Sequence, residues 1–452
     1  MNCWSSAIKN LWRWELVTNT LLTDAWLARL AEYRRLFVGF SGGLDSTVLL
    51  HHVAMQPLLH QKVCAVHVHH GLSVYADDWE NHCRKICNSF HIPLTVHRVN
   101  LKASSNVEEL ARVARYKFFS TLINDEEALL LGHHQNDQAE TLLLQLLRGA
   151  GVDGLAAMQF ITSFGKGVLL RPFLNDARAA LEVYAAAQQL VWIEDESNEN
   201  PMFSRNYLRH KVMPLIQARW PNAVSNLARS AYHCQQAGKN LQALAYLDCP
   251  ELQENSNSLS LTSLQALSDA RLINVLRVWL KNNRVRLPST HMFQRLLHEV
   301  IRAKEDAKPC LHWGEIKIGR YRHTLFLQKA VLAELVEMGW TNFPETLFLS
   351  DQTRYLAAIP VADGLQVPAG SLVEIRFRRG GEEIRWHGQT KQLKKLWQQW
   401  RVPAWQRAQI PLLYINNVLA AVVGYAVSDL FYGKQSAYRV ELHTLNLSAN
   451  ED

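Results

Sequence analysis

Residues 40–46 read Phe-Ser-Gly-Gly-Leu-Asp-Ser, and this short loop decides the fold class of the first part of the chain. It follows an apolar, strand-like run at 36–40 and opens into a helical pattern that begins near Ser46. Glycines let a backbone approach an oxyanion closely, and the first free N–H groups of a helix point at that oxyanion. The loop therefore predicts a phosphate cradle between a strand and a helix.

The acid inside the loop, Asp45, adds a second expectation. A carboxylate repels bare phosphate, so its presence indicates a divalent cation bound together with the phosphate. The spacing is neither the Walker pattern G-x-x-x-x-G-K-[ST] nor the dinucleotide pattern G-x-G-x-x-G. The simpler alternative is a Gly-Gly turn whose serine caps an ordinary helix.

Strand-like runs alternate with helical patterns through the first part of the chain. This alternation, with spacers of helix length, predicts an α/β fold with a doubly wound parallel sheet, in which ligands bind beyond the carboxyl ends of the strands. The predicted strands are 36–40, 63–68, 94–99, 128–132, 168–170 and 190–193, and the predicted helices are 46–55, 77–90, 105–123 and 137–148.

Histidine-rich stretches follow two of these strands, at 67–72 and 132–141. Asp137 and Glu140 are three residues apart at a helix start, so both carboxylates share one helix face. Together with Asp45 they would form a pocket suited to magnesium or to a cationic substrate. The alternative is an acidic pair that merely complements the helix dipole. A zinc site is disfavoured, because the histidine spacing matches no recognised zinc pattern.

Composition limits the function further. The 452 residues predict two or three domains. No apolar run is long enough to span a bilayer and the N-terminus lacks a signal pattern, so we expect a cytoplasmic protein without membrane contact. The seven cysteines contain no C-x-x-C pair and are expected to be reduced. The net charge of +7 is compatible with nucleic acid binding.

The chain resembles the tRNA(Ile)-lysidine synthetases, which belong to the PP-loop (N-type ATP pyrophosphatase) class with a Rossmann-like fold. The loop at 41–46 matches the class pattern S-G-G-x-D-S, and the later stretches are more particular to the lysidine enzymes. Those stretches are H-V-H-H-G-L (67–72), N-V-E-E-L-A-R-V-A-R-Y (106–116), G-H-H-Q-N-D-Q-A-E-T (132–141), R-G-A-G-V-D-G-L-A-A-M (148–158), R-P-F (171–173) and E-D-E-S-N-E-N-P-M-F-S-R-N-Y-L-R (194–209).

The resemblance implies a reaction in two steps on cytidine 34 of a tRNA(Ile) with a CAU anticodon. ATP adenylates the C2 oxygen of the base, and the ε-amine of free L-lysine then displaces AMP. The product reads AUA instead of AUG. The implied substrates and partners are ATP, Mg²⁺, tRNA(Ile) and free L-lysine. The sequence leaves the oligomeric state open, with a homodimer as one candidate.

The resemblance also implies roles for individual residues. The expected catalytic residues are Asp45, Asp137, Glu140 and Arg205, with Asp45 and Asp137 as magnesium ligands and Arg205 as a phosphate-binding arginine. Whether Asp137 and Glu140 act as general base, metal ligands or lysine anchors stays open. The expected ATP-binding residues are Ser41, Gly42, Gly43, Leu44, Asp45, Ser46, His67, His133, Arg112 and Arg115.

Two positions depart from the family pattern. Asn136 stands where the family's H-H-x-D-D-Q motif has its first acid, and His69 stands where H-V-D-H-G has one. The change at 136 removes a negative charge near the expected magnesium, which leaves Asp137 and Glu140 as the stronger candidates.

The remainder of the chain predicts a helical extension and two smaller α+β domains. We expect an N-terminal PP-loop domain at 1–205, the extension at 206–250, a central tRNA-binding domain at 251–340 and a C-terminal tRNA-binding domain at 341–452. Basic residues mixed with Trp397, Trp400 and Trp405 suit a surface that binds phosphates and stacks on bases, or alternatively an aromatic core with solubilising lysines.

Two other functions compete with lysidine formation. Another enzyme of the same loop class, such as a tRNA thiolase or an ammonia-using amide synthetase, would share the loop. Thiolases of this group generally carry paired cysteines, and amide synthetases would not need the basic, tryptophan-rich C-terminal half. A non-catalytic tRNA-binding protein is disfavoured by the retained Asp45, Asp137, Glu140 and Arg205.

Overall fold

The structure is a computed structural model, and it describes two compact units that meet in sequence between residues 243 and 244. Each unit is described by itself below, and the four domain boundaries expected from the sequence stay a prediction. The described residues are 21–71, 73, 75–99, 107–194, 202–254, 256–304, 307, 309–329, 335–350, 354–434 and 436–444. Parts of three expected motifs, at 72, 106 and 195–201, lie outside the described residues.

A six-stranded sheet forms the centre of the first unit. Its order is β3-β2-β1-β4-β6-β5, with β5 antiparallel at the edge and the other five strands parallel. The order reverses direction between β1 and β4, which is where ligands bind in open α/β sheets. The strands are β1 (Arg35–Gly39), β2 (Val63–His69), β3 (Leu94–Arg98), β4 (Glu127–Leu130), β5 (Ile161–Phe164) and β6 (Gly167–Leu170).

Helices cover both faces of this sheet. Neighbouring residues of a strand point to opposite faces, and both faces carry apolar side chains that are buried. Leu36 and Val38 belong to one buried cluster, whereas Phe37 between them packs with Phe119 in another. The doubly wound α/β fold is thereby confirmed. The helices are α1 (Asp24–Ala31), α2 (Leu44–Ala54), α3 (Pro57–His60), α4 (Ala76–Ser89), α5 (Val107–Leu122), α6 (Gln135–Leu147), α7 (Val152–Leu155) and α8 (Arg178–Ala187).

The predicted strand at 190–193 is wrong. This segment has no regular structure, and the antiparallel strand β5 occupies the sheet edge beside β6 instead. The backbone N–H of Ile193 donates to the Gly42 carbonyl oxygen at 2.9 Å. The segment 190–193 therefore bonds to the loop after β1 and forms no hydrogen bonds with the described strands of the sheet.

The predicted helical extension comes after α8 in the chain and begins at Ser204. It consists of α9 (Ser204–Tyr207), a π-helix (Leu208–Val212), α10 (Met213–Arg219) and α11 (Ala223–Asp248). Met213 and Val224 pack against Ala139 of α6. This small apolar cluster fixes the extension against the helix that carries Asp137 and Glu140.

The second unit is α+β, as expected. It begins with the four-stranded antiparallel sheet β7-β10-β9-β8, which shares a core with two helices. The bounds are a 3₁₀ turn (Pro250–Glu254), β7 (Ser258–Ser260), a second 3₁₀ turn (Thr262–Leu264), α12 (Asp269–Asn282), α13 (Thr290–Arg295) with a π-helix (Leu296–Ile301), β8 (Cys310–Trp313), β9 (Ile316–Tyr321) and β10 (Thr324–Lys329).

The rest of this unit contains two five-stranded antiparallel sheets, β11-β15-β18-β19-β20 and β12-β13-β22-β14-β21, and the hairpin β16-β17. No helix in the described ranges has the length and apolar character needed to cross a membrane. The bounds are β11 (Met338–Gly339), β12 (Leu347–Phe348), β13 (Arg354–Val361), β14 (Gly364–Leu365), β15 (Val373–Arg376), β16 (Glu383–Trp386), β17 (Gln389–Gln392), α14 (Leu393–Gln399), α15 (Ala404–Arg407), β18 (Leu412–Ile415), β19 (Val418–Val422), β20 (Ala426–Val427), β21 (Tyr432–Gly433) and β22 (Ala437–Thr444).

Candidate active site

The loop after β1 is held in shape by its own serines. Ser46 Oγ donates to the Gly43 carbonyl oxygen at 3.0 Å and accepts from the Ser41 N–H at 3.2 Å. The Ser41 and Ser46 hydroxyls lie 3.1 Å apart. Gly42 has a φ of +85°, which an L side chain rarely adopts, so glycine is required at this turn. Gly43 then precedes α2, and the loop presents the first N–H groups of that helix.

The end of β4 approaches this loop so closely that no side chain fits between them. A Cβ atom on Gly132 would lie 2.8 Å from the Asp45 carbonyl oxygen and 3.3 Å from the Ser46 nitrogen. The histidine-rich segment after β4 and the glycine-rich loop after β1, both expected at one edge of the sheet, are therefore in contact.

His134 links the loop to the start of α6. Its Nε2 lies 3.5 Å from Asp45 Oδ2 and 3.5 Å from Asp137 Oδ2. The ring also caps the helix, because Nδ1 accepts from the Asp137 N–H at 3.4 Å and Asp137 Oδ2 accepts from the His134 N–H at 3.0 Å. Burial alone would lower the pKa of His134, but the two carboxylates outweigh it and raise the pKa above its ordinary value.

Asp137 and Glu140 form a buried cluster with Arg205 and a second arginine, Arg209. Glu140 accepts from Arg205 Nε at 2.8 Å and from Arg209 Nε at 2.7 Å. Asp137 Oδ1 accepts from Arg205 Nη2 at 3.0 Å and from Arg209 Nη2 at 3.1 Å. The side chains of the two acids are only 10 % and 3 % exposed, so little water reaches them. Their two negative charges are balanced by the positive charges of the two arginines.

The pKa of Asp137 follows from this environment. Burial raises the pKa of a carboxyl group, but the charges of His134 and Arg205 outweigh burial here and hold the pKa of Asp137 at about 2. Asp137 is therefore ionised at any physiological pH. Its Oδ1 already accepts from two guanidinium groups, so in this arrangement Asp137 holds the two arginines in place and its Oδ1 is not available to another ligand.

Arg209 was missed as a site residue by the sequence reasoning. It lies in the π-helix four residues after Arg205, and the two side chains reach the same pair of acids. The spacing of Arg205 and Arg209 on a helix was the signal that would have found it. The π-helical turn is a feature that frequently marks functional sites.

His133 faces a different set of groups. Arg171 Nε donates to His133 Nδ1 at 3.3 Å, while Arg171 Nη1 donates to the Gln159 carbonyl oxygen at 2.8 Å. Removal of water from the ring lowers the pKa of His133 to about 3, so the imidazole is neutral. Because Nδ1 is an acceptor, the ring proton is on Nε2. Arg171, from the R-P-F motif after β6, is a second residue that the sequence reasoning left without a role.

The remaining candidate ATP-binding residues lie around the same edge of the sheet. His67 Nδ1 donates to the Phe40 carbonyl oxygen at 2.9 Å, so this buried ring braces the strand that leads into the loop. Arg112 on α5 is exposed, with its guanidinium carbon 4.9 Å from the centre of the Tyr116 ring. Arg115 is half-buried on the same helix. Their contacts with ATP stay a prediction.

The two residues that depart from the family pattern, Asn136 and His69, each contact a neighbouring residue in the structure. Asn136 Oδ1 accepts from the Arg178 N–H at 3.2 Å, a bond that an aspartate would also make, so the amide removes a charge and keeps the contact. His69 Nε2 lies 3.3 Å from Asp77 Oδ1. A group of three potential metal ligands exists at His69, Asp77 and Glu80, but Arg84 and Arg98 already donate to Glu80.

Magnesium fits the loop through Asp45. Asp45 Oδ1 is buried and has no hydrogen-bond partner among the residues that the structure describes. A buried carboxylate oxygen without a donor is costly, and a hard cation is a suitable partner for it. Asp45 as a ligand agrees with this geometry, whereas coordination by Asp137 would compete with Arg205 and Arg209.

In the second unit, the C-terminal tryptophans differ in exposure. Trp397 is completely buried in a core with Leu393 and Leu396, so it belongs to the aromatic core. Trp400 is half-buried and stacks on Tyr425 with ring centres 5.4 Å apart. The side chain of Trp405 lies outside the described part of the chain.

Three known protein families match separate parts of the chain. The PP-loop domain family matches residues 17–216, the TilS substrate binding domain matches 259–326 and the TilS substrate C-terminal domain matches 373–444. The tRNA(Ile)-lysidine synthase of Legionella pneumophila (strain Philadelphia 1) is 51% identical over 418 residues, which cover 92% of this chain and 96% of that protein. The synthase of Coxiella burnetii is 40% identical over 408 residues, covering 88% and 90% of the two chains. That of Serratia proteamaculans is 39% identical over 420 residues, covering 91% and 96%. The chain is thus an ATP-utilising PP-loop ligase that belongs to the tRNA(Ile)-lysidine synthase family.

Proposed function

We propose that this protein uses ATP to attach free L-lysine to C2 of cytidine 34 in a tRNA(Ile) with a CAU anticodon, which changes its decoding from AUG to AUA. The observation that carries the proposal is a contact through His134, which lies 3.5 Å from both Asp45 and Asp137. It joins the Asp45 Oδ1 atom, which has no hydrogen-bond partner among the described residues, to the cluster of Asp137, Glu140, Arg205 and Arg209. One site would thereby serve both a nucleotide and a cationic amino acid.

In the adenylation step, the C2 oxygen of the cytosine attacks the α-phosphorus of ATP, and pyrophosphate leaves. The N–H groups at the start of α2 and the hydroxyls of Ser41 and Ser46 would bind the pyrophosphate oxygens and hold them in line. Mg²⁺ on Asp45 would supply neutralisation of the charge that develops on the leaving group. His133, kept neutral, would donate its Nε2–H to the nucleotide without adding charge.

In the lysine step, the ε-amine attacks C2, the bond from C2 to the adenylate oxygen breaks, and AMP leaves with that oxygen. The ammonium form of lysine needs an anionic site for capture, and the amine must lose a proton before it attacks. Asp137 is linked to Asp45 through His134, and Glu140 shares Arg205 and Arg209 with Asp137. This pair of acids would bind the ammonium or accept its proton.

The ion pairs add one requirement to this step. Asp137 and Glu140 already bind Arg205 and Arg209, so a lysine ammonium would replace at least one guanidinium. A displaced arginine would find a new partner in a phosphate, because guanidinium groups bind phosphate with two parallel hydrogen bonds. The expected phosphate-binding role of Arg205 and the lysine-binding role of the acids would thus be successive states of one cluster.

The direct test is incorporation of labelled lysine. The protein is incubated with ATP, Mg²⁺, radiolabelled L-lysine and a tRNA(Ile) transcript with a CAU anticodon, and AMP, pyrophosphate and labelled tRNA are counted. We expect the three products in equal amounts. A tRNA(Met) transcript with the same anticodon is the matched control. Sulfur transfer to the tRNA or ammonia-dependent AMP release, without lysine incorporation, would contradict the proposal.

A further inference from the structure

A small cavity in the second unit has no place in the chemistry described so far. It has a volume of about 190 Å³ and lies between the turn Thr262–Leu264, the start of α12, the end of the π-helix Leu296–Ile301 and the β9–β10 hairpin. All of its lining residues fall within 259–326, the range that matches the substrate binding domain. The cavity is therefore part of a domain whose family name indicates contact with substrate.

The floor of the cavity is apolar. Leu261, Leu264 and Leu272 line it and are 5%, 1% and 6% exposed, and Ile301 adds a half-buried side chain. Pockets for drug-sized ligands are about 300–1,000 Å³. A cavity of about 190 Å³ is below this range, so it has room for one base and not for a whole nucleotide.

The rim of the cavity is basic. Arg302, Arg320 and Arg322 line it together with His323, and Asp269 is the acid among the lining residues. Arg302 donates to Asp269, so these two charges are paired. Arg320 is buried and donates to the carbonyl oxygens of Ile301, Ala303 and Lys304 at 2.7, 2.7 and 2.5 Å, so its role is to close the end of the π-helix.

Arg322 is different from the other two arginines. It is exposed at the tip of the β9–β10 hairpin, and its guanidinium carbon lies 5.7 Å from the centre of the Tyr321 ring. Within the described ranges no carboxylate forms an ion pair with it. A guanidinium at the mouth of an apolar slot, with its charge unmatched, suits a phosphate group attached to whatever ring fills the slot.

We propose that this cavity binds one unstacked base of the substrate RNA, with the neighbouring phosphate on Arg322. RNA outside its helices is commonly recognised through bases that are splayed out of the stack, held against aromatic or apolar side chains and hydrogen-bonded on their edges, while arginines bind the backbone. An apolar floor of single-ring size and an unpaired cation at its mouth match these two requirements together. The inference rests on the proposed function, because it takes the RNA from there.

The test uses the full chain with charge reversals at two exposed arginines of the same domain. Arg322→Glu changes the cavity rim, and Arg286→Glu is the matched control, because Arg286 is exposed and does not line the cavity. Binding of the tRNA(Ile) transcript is measured by filter retention at several salt concentrations. We expect Arg322→Glu to weaken binding about tenfold and to reduce the slope of log K against log salt by about one. Arg322→Lys should recover most of the affinity, and Arg286→Glu should stay close to wild type.

Crosslinking locates the base. A transcript carrying 4-thiouridine in place of uridine is irradiated with the wild-type protein, and the modified peptides are identified by mass spectrometry. Crosslinks at 261–272 or 320–323 that disappear with Arg322→Glu support the proposal. Equal binding by the two reversal variants, or crosslinks confined to other segments, would overturn it. If the wild type binds and crosslinks the RNA at the cavity but incorporates no lysine, the proposed function fails and the cavity proposal stands.

Discussion

At the scale of single residues, Asp45 and Asp137 are both acids at the same sheet edge, yet their oxygens are used differently. Asp45 Oδ1 has no hydrogen-bond partner among the described residues, whereas Asp137 accepts from two arginines and one backbone N–H. The predicted parallel sheet placed the two acids at one edge, and His134 does lie 3.5 Å from both. The sequence did not predict which acid would keep a carboxylate oxygen without a partner among the described residues, because that depends on how the extension packs onto α6.

The free oxygen of Asp45 leads to a first prediction. Asp45→Asn keeps the size of the side chain but removes the charge that would hold Mg²⁺, so we expect the rate of lysine incorporation to fall by about 10²–10³-fold. The measurement is AMP formation as a function of magnesium concentration. Asp78→Asn, at an exposed acid in the first turn of α4, is the control and should keep the wild-type magnesium dependence. An unchanged magnesium dependence in Asp45→Asn would remove the assignment of this ligand.

His133 gives a prediction about pH. Its pKa is about 3 in the folded chain and about 6.5 when unfolded, so between these values the unfolded state binds an extra proton. Stability therefore falls as the pH drops below 6.5, by about 2 kcal/mol at pH 5. His133→Gln lacks this proton, so its melting temperature should fall less between pH 7.5 and pH 5.

Other buried histidines also titrate in this range, since the pKa values of His52 and His70 are lowered to about 4. The informative quantity is therefore the difference between the two melting curves, measured at each pH by circular dichroism. Parallel curves for wild type and His133→Gln would show that the ring is not held neutral.

At the scale of elements, the contact between the end of β4 and the loop after β1 explains the glycine at 132. A methyl group there would lie 2.8 Å from the Asp45 carbonyl oxygen, which belongs to the backbone and cannot move aside cheaply. We expect Gly132→Ala to push the loop away from its position, to lower stability by about 1–3 kcal/mol and to raise the KM for ATP. Initial rates of AMP formation at varied ATP give the KM.

Gly151→Ala is the matched control for this substitution. Gly151 also precedes a helix, but a Cβ there meets no atom within 4 Å. Its stability and its KM for ATP should therefore stay close to those of the wild type. If Gly132→Ala behaved like Gly151→Ala, the contact between β4 and the loop would be looser than the geometry indicates.

The cluster between α6 and the extension predicts strong coupling between Glu140 and Arg209. Each single substitution, Glu140→Gln or Arg209→Gln, removes one charge from the buried cluster of two acids and two arginines, so the remaining charges no longer balance, and it should cost about 3–5 kcal/mol. The double variant removes both charges, so its cost should be smaller than the sum of the two, with a coupling free energy of about 1–3 kcal/mol. Urea unfolding of the four proteins measures this quantity, and additive costs would contradict the pairing.

The elements also show how far the sequence reasoning reached. Alternating strands and helices predicted the parallel sheet and placed the histidine-rich segments at its ligand edge. In the structure the first of them begins within the last residues of β2, and the second follows β4. The run at 190–193 was predicted as a strand from its apolar residues, but its backbone bonds to Gly42 of the loop. A contact between distant segments decides that case, and no local pattern contains it. Arg171 was missed for the same reason, because its partner His133 is far away in sequence. Arg209 is a different case, since its helical spacing from Arg205 was a local signal.

At the scale of the whole molecule, the excess of seven positive charges favours attraction of a polyanion. Within the second unit, the exposed Lys394 and Lys395 lie on α14, while Trp397 of the same helix is buried. The sequence left base stacking and core packing as alternatives for these tryptophans. Burial decides for the core at Trp397, because its partners Leu393 and Leu396 recur at helical spacing on the same face.

The last prediction concerns the basic face of α14. If it binds phosphates, Lys394→Glu should weaken binding of the tRNA(Ile) transcript several-fold and reduce the slope of log K against log salt by about one, because one fewer counterion is released. The affinity for ATP should not change, since the loop after β1 belongs to the other unit. Lys166→Glu makes the same change of charge at an exposed residue in the β5–β6 turn, at the amino end of β6. If both variants lost affinity equally with the same salt slope, net charge alone would account for the attraction, and the face of α14 would have no specific part in it.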